Sequence, residues 1–280
     1  MSRLSKISVP NGFWDDADEA LHVTTPHAMV QAAGYLKYAA NSDGPVYFRG
    51  QSRKYGSMRP SLFRDCKTIN TMKKRVSALG DFRNRSRSAH AFLTGTPKHA
   101  LDPLLQHYGI RTNWLDLVDN LWVALWFSCY DAIAHGKRGQ YLHFEPRRAD
   151  PSSVVYIALV QCGAVSPVDD SPGLWRSADL ELVDLRVAAP SLYLRPHAQH
   201  GLLVRRHTIA TESDGDLSRH VVGWLRAPLV DALSWIGKGG LLTVHSLFPP
   251  PRYDLGCERL LHDLTDVKSR FLGSIHHVGA

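Results

Sequence analysis

The sequence predicts an α+β fold in which a mainly helical first half packs on a mixed or antiparallel sheet. Three observations predict it. Helix signals fill the chain to about residue 134, strand-like runs cluster after residue 150, and no regular strand–helix alternation of the doubly wound kind links them. At 280 residues, 44% apolar and 21% charged, the chain can bury a full core. The reading divides it into an extension over 1–24, a single domain over 25–268 and a tail over 269–280.

The first helix starts at Thr25, a capping residue followed by Pro26, and stops at the turn-like N-S-D-G-P of 41–45. V-Y-F-R-G then reads as a short strand with Arg49 near its end. Residues 67–93 carry apolar side chains at near-helical spacing, and a further helix covers 98–107, ended by Gly109. After a connecting I-R-T-N-W-L-D, residues 119–134 are apolar nearly all round and predict a buried central helix capped by Asp119. Strands are expected at 154–160, 201–207, 220–226 and 241–245, with helices from Pro228 to Ile236 and after Gly256. The polar stretch 163–180 reads as a surface loop.

Composition bounds the chemistry. The start lacks an apolar leader and no apolar run is long enough to span a bilayer, so a soluble, cytoplasmic protein with no membrane partner is expected. Cys66, Cys129, Cys162 and Cys257 are widely spread, as free thiols would be. No metal is expected, because the 15 histidines form no ligand pattern, and there is no phosphate loop, dinucleotide fingerprint or nucleophile elbow. The formal charge of +7 is concentrated between Arg64 and Arg87, where it serves either as a solvated helix face or as a footprint for phosphates. Only five glutamates stand against 21 aspartates.

Three stretches are dense in chemistry: Arg49-Gly50-Gln51; the run from Gln106 to Asp116, with His107, Tyr108, Arg111, Thr112 and Trp114; and Arg195 to Gln199 ahead of a strand. So many polar groups beside buried elements must satisfy one another or face a cleft. Structural roles are open for each. Arg49 can pair with Asp116 in a buried ion pair, Thr112 can cap a turn, Gln199 and Arg195 can bond backbone, and His107 can be a satisfied buried histidine.

Five motifs in order, Y-F-R-G-Q-S (47–52), R-P-S-L-F-R (59–64), L-L-Q-H-Y-G-I-R-T-N-W-L-D (104–116) with L-W-V-A-L-W-F-S (121–128), R-P-H-A-Q-H-G-L-L (195–203) and L-F-P-P-P-R-Y-D-L-G (247–256), resemble the FRG domain family over about residues 45–265. The last motif keeps only Asp254 as a carboxylate. The motif order is similar to that of arginine-class ADP-ribosyltransferases, so the resemblance implies an ADP-ribosyltransferase-like fold with NAD as substrate.

On that resemblance Arg49, His107, Asp116 and Gln199 are the catalytic candidates. Arg49, Gly50, Gln51, Tyr108, Thr112, Trp114 and Arg195 are the residues expected to bind NAD, with Tyr47, Phe48, Tyr108 or Trp114 to stack on nicotinamide. The transferase glutamate two residues after Gln199 is replaced by Gly201, leaving Asp116, Glu181 or Glu212 to supply the charge. Two functions follow. One is an ADP-ribosyltransferase-like enzyme that modifies a nucleic-acid or protein acceptor, in the family's context of bacterial toxins and phage-defence effectors. The other is a non-catalytic nucleotide- or nucleic-acid-binding module.

Overall fold

The computed structural model describes residues 3–237, 240–264, 267 and 269–279, and for residues 3, 41 and 212 the backbone only. Glu212, one of the carboxylates considered from the sequence, therefore lies outside the described side chains. A hairpin of β1 (Gly12–Asp15) and β2 (Ala20–Val23) precedes α1 (Pro26–Ala39) and β3 (Val46–Gln51). Next come α2 (Ile69–Ala89), α3 (Lys98–His107), β4 (Leu115–Val118), α4 (Leu121–Cys129), β5 (Tyr130–His135) and β6 (Tyr141–Pro146). The second half holds β7 (Val154–Gln161), β8 (Ser166–Pro167), β9 (Leu174–Arg176), β10 (Leu180–Asp184), α5 (Leu185–Ala188), α6 (Leu194–Ala198) and β11 (Gly201–Arg206). It closes with β12 (Val221–Pro228), α7 (Leu229–Trp235), α8 (Val244–Leu247), α9 (Leu255–Asp263) and β13 (His277–Val278).

The fold is α+β. Ten strands form one mixed sheet in the order β1-β2-β12-β7-β3-β4-β11-β10-β9-β8, with β2 parallel to β12, and β13-β6-β5 form a second sheet. Residues 1–24, set apart from the sequence, supply two strands of the main sheet, and the tail supplies β13. The first half is thus less purely helical than expected.

Local chemistry explains the main elements. The Thr25 hydroxyl accepts from the Ala28 amide at 3.2 Å, Pro26 opens α1, and Ala28, Met29, Ala32, Ala33 and Leu36 form its buried stripe. Thr68 caps α2 in the same way. The central helix departs from expectation at both ends. Asn120, not Asp119, caps α4 by accepting from the Trp122 and Val123 amides, while Asp119 takes an ion pair from Lys37 at 2.7 Å. The helix stops at Cys129, because residues 130–135 pair along their whole length with β6 around a turn whose Gly136 and Gly139 adopt positive φ. The expected strand at 241–245 is instead the approach to α8, where the Thr243 hydroxyl accepts from the Ser246 amide.

Side-chain alternation across the sheet sorts the core into three parts. Leu115, Leu117, Ala158, Val160, Leu202 and Val204 point to one face. On the other face Phe48, Val118, Ile157 and Leu159 join a cluster around α1 and α4, whereas Val183 and Leu203 join one around α2 and α3. The two clusters on this second face meet at the β3–β4 boundary. There the ladder is weakest: β3 matches β7 at six positions but β4 only at Phe48 and Val118. All four cysteines are free and buried, and among the described residues no helix is long and apolar enough to cross a membrane.

Candidate functional site

Because β3 and β4 touch at a single pair, the sheet opens beside Phe48, and a cavity of about 610 Å³ lies there between the two clusters. Within Phe-Arg-Gly each residue has a separate task. Phe48 is buried in the core opposite Val118. Gly50 lets α4 lie directly on the strand: a Cβ there would come within 1.7 Å of the Ala124 carbonyl oxygen. Arg49 spans the opening, its Nη1 donating to the backbone carbonyl of Asp116 at 2.7 Å.

That bond takes the place of the Arg49–Asp116 ion pair left open from the sequence. Arg49 holds the Asp116 main chain, and among the described residues no carboxylate lies within ion-pairing distance of it. Burial draws the guanidinium pKa down, the nearby Asp116 charge raises it, and Arg64 lowers it again. The Arg49 Nε is buried without a partner. A largely buried cation without a contacting counter-ion is costly, and an anion in the cavity would relieve it. The wall carries Arg49, Arg64, Arg111 and Arg138 against a single carboxylate, Asp116, among the described residues. The same wall carries Phe48, Phe127 and Phe248, the last two edge to face with centroids 6.1 Å apart.

Of the ten catalytic and binding candidates named from the sequence, five line this cavity: Arg49, Gly50, His107, Asp116 and Gln199. Burial lowers the His107 pKa, while the nearby Asp116 charge and the Gln199 amide oppose the shift in part. Both ring nitrogens are covered without a partner within hydrogen-bond geometry, and the Gln199 amide nitrogen donates to the Leu247 carbonyl at 2.8 Å. The ring rests on Gly201, where a Cβ would meet it at 2.4 Å. Any side chain at 201 would have to displace that ring.

The other five lie outside the cavity wall, each in a structural role. Gln51 packs toward Met58, with its amide nitrogen 3.7 Å from the sulfur. Thr112 is fully buried, donates to the Gln106 side chain and accepts from the Trp114 amide at 3.1 Å, so it shapes the turn into β4. Trp114 is buried under the Arg205 guanidinium, 4.4 Å from its ring centroid. Tyr108 donates to Asp254 at 2.7 Å, and Asp254, fully buried, also caps α9 through the Cys257 amide. The carboxylate of the last motif, Asp254, is therefore a structural anchor rather than a cavity group. Arg195 is buried between the rings of Tyr108 and Phe248 and donates to the carbonyls of His107 and His276, bracing two walls of the cavity from behind. Of the proposed stacking rings only Phe48 lines the cavity. Glu181 is locked between Arg176 and Arg205 on β10.

Sequence reasoning missed Arg64, Arg111, Arg138, Phe248 and His276 as wall residues. Arg64 and Arg111 stood inside quoted motifs, which was signal enough. Arg138 and His276 arrive through tertiary contacts alone. Residues 272–276 lie along 108–111, with the Arg111 amide donating to Leu272 and the His276 amide to Tyr108, each at 2.7 Å. Gly109, at φ +115°, admits this approach, since a Cβ would meet the Ser274 carbonyl at 2.3 Å. The basic run from Arg64 to Arg87 divides between two tasks. Arg75, Arg83 and Arg87 tie α2 down through Leu62, Asp102 and Thr96, while Lys67, Lys73, Lys74 and Arg85 are exposed.

The His276 pKa is pushed down to about 4 by burial and by Arg195 and Arg111. The unfolded chain, with an ordinary value near 6.5, binds this proton more readily. The contribution to stability is therefore complete above about pH 6.5 and lost as the pH falls toward 4, on the order of 3 kcal/mol. Urea unfolding at pH 7.5 and 4.5 should show that loss. In His276→Phe, which keeps a ring against Gly109, the slope should be visibly shallower; an unchanged slope would place the acid sensitivity elsewhere.

Taken together, the fold and site define an α+β protein with a cationic cleft opened between two central strands. Residues 44–137 match the family model of the FRG domain, which supports placing that segment in the FRG family. No curated protein and no solved structure gives a match. The matched segment carries Arg49, Gly50, His107 and Asp116, while Arg138, Gln199, Phe248 and His276 of the same cavity lie beyond it.

Proposed function

We propose that the cleft binds NAD and that the protein is an ADP-ribosyltransferase-like enzyme acting on a macromolecular acceptor. The observation that carries this reading is an Arg49 without a carboxylate partner beside Asp116, the single carboxylate among the described residues of a cavity lined by four arginines. The residues suit the substrate. Guanidinium groups match a pyrophosphate, the three phenylalanines offer apolar surface to an aromatic ring, and the volume falls within the range of small-molecule sites.

In the reaction the bond between C1′ of the nicotinamide ribose and the ring nitrogen breaks. Its electron pair leaves with neutral nicotinamide, and positive charge develops on the ribose. The Asp116 carboxylate would stabilise that charge in a partly desolvated wall. A lone pair from the acceptor then forms the new bond to C1′, and the acceptor's proton passes to solvent. His107, with its ring nitrogens covered, supports the wall from behind rather than taking the proton.

A second reading is favoured by Gly201: with His107 against it, the third motif has no space for a glutamate, as a nucleotide-binding module without transfer would tolerate. Incubation with labelled NAD separates the two. Release of nicotinamide from the wild-type protein is the expected result. NAD binding by calorimetry without release would establish the binding module, and neither binding nor release would remove NAD from the account.

A further inference from the structure

A second cavity, of about 580 Å³, lies beside the first, and Arg138 lines both. It is built from the β5–β6 turn, the start of β6, α9 and the segment leading into β13. Lys137 and Arg138 are exposed cations on its rim, and Tyr141, 53% exposed, stands edge on to His277 with centroids 6.1 Å apart. Arg138 is fixed in place by donating Nη1 to the Val267 carbonyl at 2.8 Å, while the Ser274 hydroxyl donates to the Arg138 carbonyl.

Charge is sorted along this hairpin. Its carboxylates, Asp131 and Glu145, face each other at the end away from the turn, and Asp263 on α9 is engaged by His262 at 2.7 Å. Among the described residues the lining of the second cavity contains two cations and no carboxylate. An exposed ring pair beside fixed cations has the two parts that a flexible polyanion with aromatic bases needs: charge for the backbone and a stacking surface for a base.

We infer that the second cavity is a binding site for single-stranded nucleic acid, with Lys137 and Arg138 on the phosphates and Tyr141 stacking on a base. Through Arg138 the strand would continue toward Asp116. As the site of an acceptor this inference rests on the NAD reading; as a binding site it stands apart from it. Duplex nucleic acid offers no unstacked base to Tyr141 and is the poorer ligand.

The test uses the full chain with fluorescein-labelled oligo-dT and oligo-U of about twenty nucleotides, followed by anisotropy across a salt series. Both Lys137→Glu and Tyr141→Ala should weaken binding about tenfold, with Lys137→Glu also lowering the salt slope by about 1. Thermal midpoint and nicotinamide release should stay at wild-type values, since neither residue lines the first cavity. The ratio of the two oligonucleotide affinities says whether DNA or RNA is preferred. Loss of oligonucleotide binding in the variants supports the inference even in a protein that releases no nicotinamide, an outcome that would sink the NAD reading alone. No binding by the wild type, equal binding by wild type and both variants, or tighter binding of duplex would overturn it.

Discussion

Asp116→Asn is expected to stop nicotinamide release from NAD while leaving the unfolding midpoint unchanged. The separation follows from which oxygen Arg49 uses. The guanidinium holds the backbone carbonyl at 2.7 Å, and asparagine keeps that carbonyl as well as the size of the side chain. What it removes is the one carboxylate among the described residues of the cavity wall, the group that the proposed reaction assigns to oppose positive charge on the ribose. Losing one such stabilising group typically lowers turnover by about 10²- to 10³-fold. Arg49→Ala should behave differently, because it removes a charged hydrogen bond across the opened sheet as well as a binding group. A loss of about 1.5–3 kcal/mol in stability is expected along with the loss of nucleotide affinity. Stopped-assay turnover and urea midpoints on both variants check the pair. Wild-type turnover in Asp116→Asn would remove the carboxylate from the mechanism.

The largest effect on stability is expected from a single methyl group, in Gly50→Ala. On backbone entropy alone, alanine for glycine in a strand stabilises by about 0.4–1 kcal/mol. Here the added Cβ would sit 1.7 Å from the Ala124 carbonyl oxygen and 3.0 Å from the Ser128 amide nitrogen, both main-chain atoms of a buried helix that has no soft direction in which to yield. The clash should outweigh the entropy and destabilise by about 4 kcal/mol or more. Calorimetry should show a melting point lower by roughly 10 °C, or the protein should fail to accumulate in folded form. A shift of only a degree or two would mean that α4 can lift from β3 freely, and the cavity beside it would then be a mobile one.

Elements with a local signature were legible before the fold was known. Thr25-Pro26 fixed the start of α1, and short runs rich in β-branched and aromatic residues marked β3, β7, β11 and β12. The central helix was overextended because an unbroken apolar run does not distinguish buried helix from strand; the partner that turns residues 130–135 into β5 is β6, which no local cue announced. The site divided in the same way. Arg49, His107, Asp116 and Gln199 stood in dense polar motifs and came together, whereas Thr112, Trp114, Tyr108 and Arg195 stood in equally dense motifs and proved to be the scaffolding. Density of polar groups does not say which of them face solvent and which satisfy one another. Arg138 and His276 were silent because their place in the wall depends on segments far away in the chain.

That dependence has a consequence for when the molecule can act. One flank of the cleft comes from residues 272–276, laid along 108–111, and the groups they complete begin with Arg49 on β3. During synthesis, which proceeds from the N-terminal end, the strand bearing Arg49 and the matched family segment emerge long before their closing wall. A nascent chain would carry the cationic residues with nothing to assemble them into a pocket. The cleft would stay open-sided on the ribosome and close only once the distant segment docks.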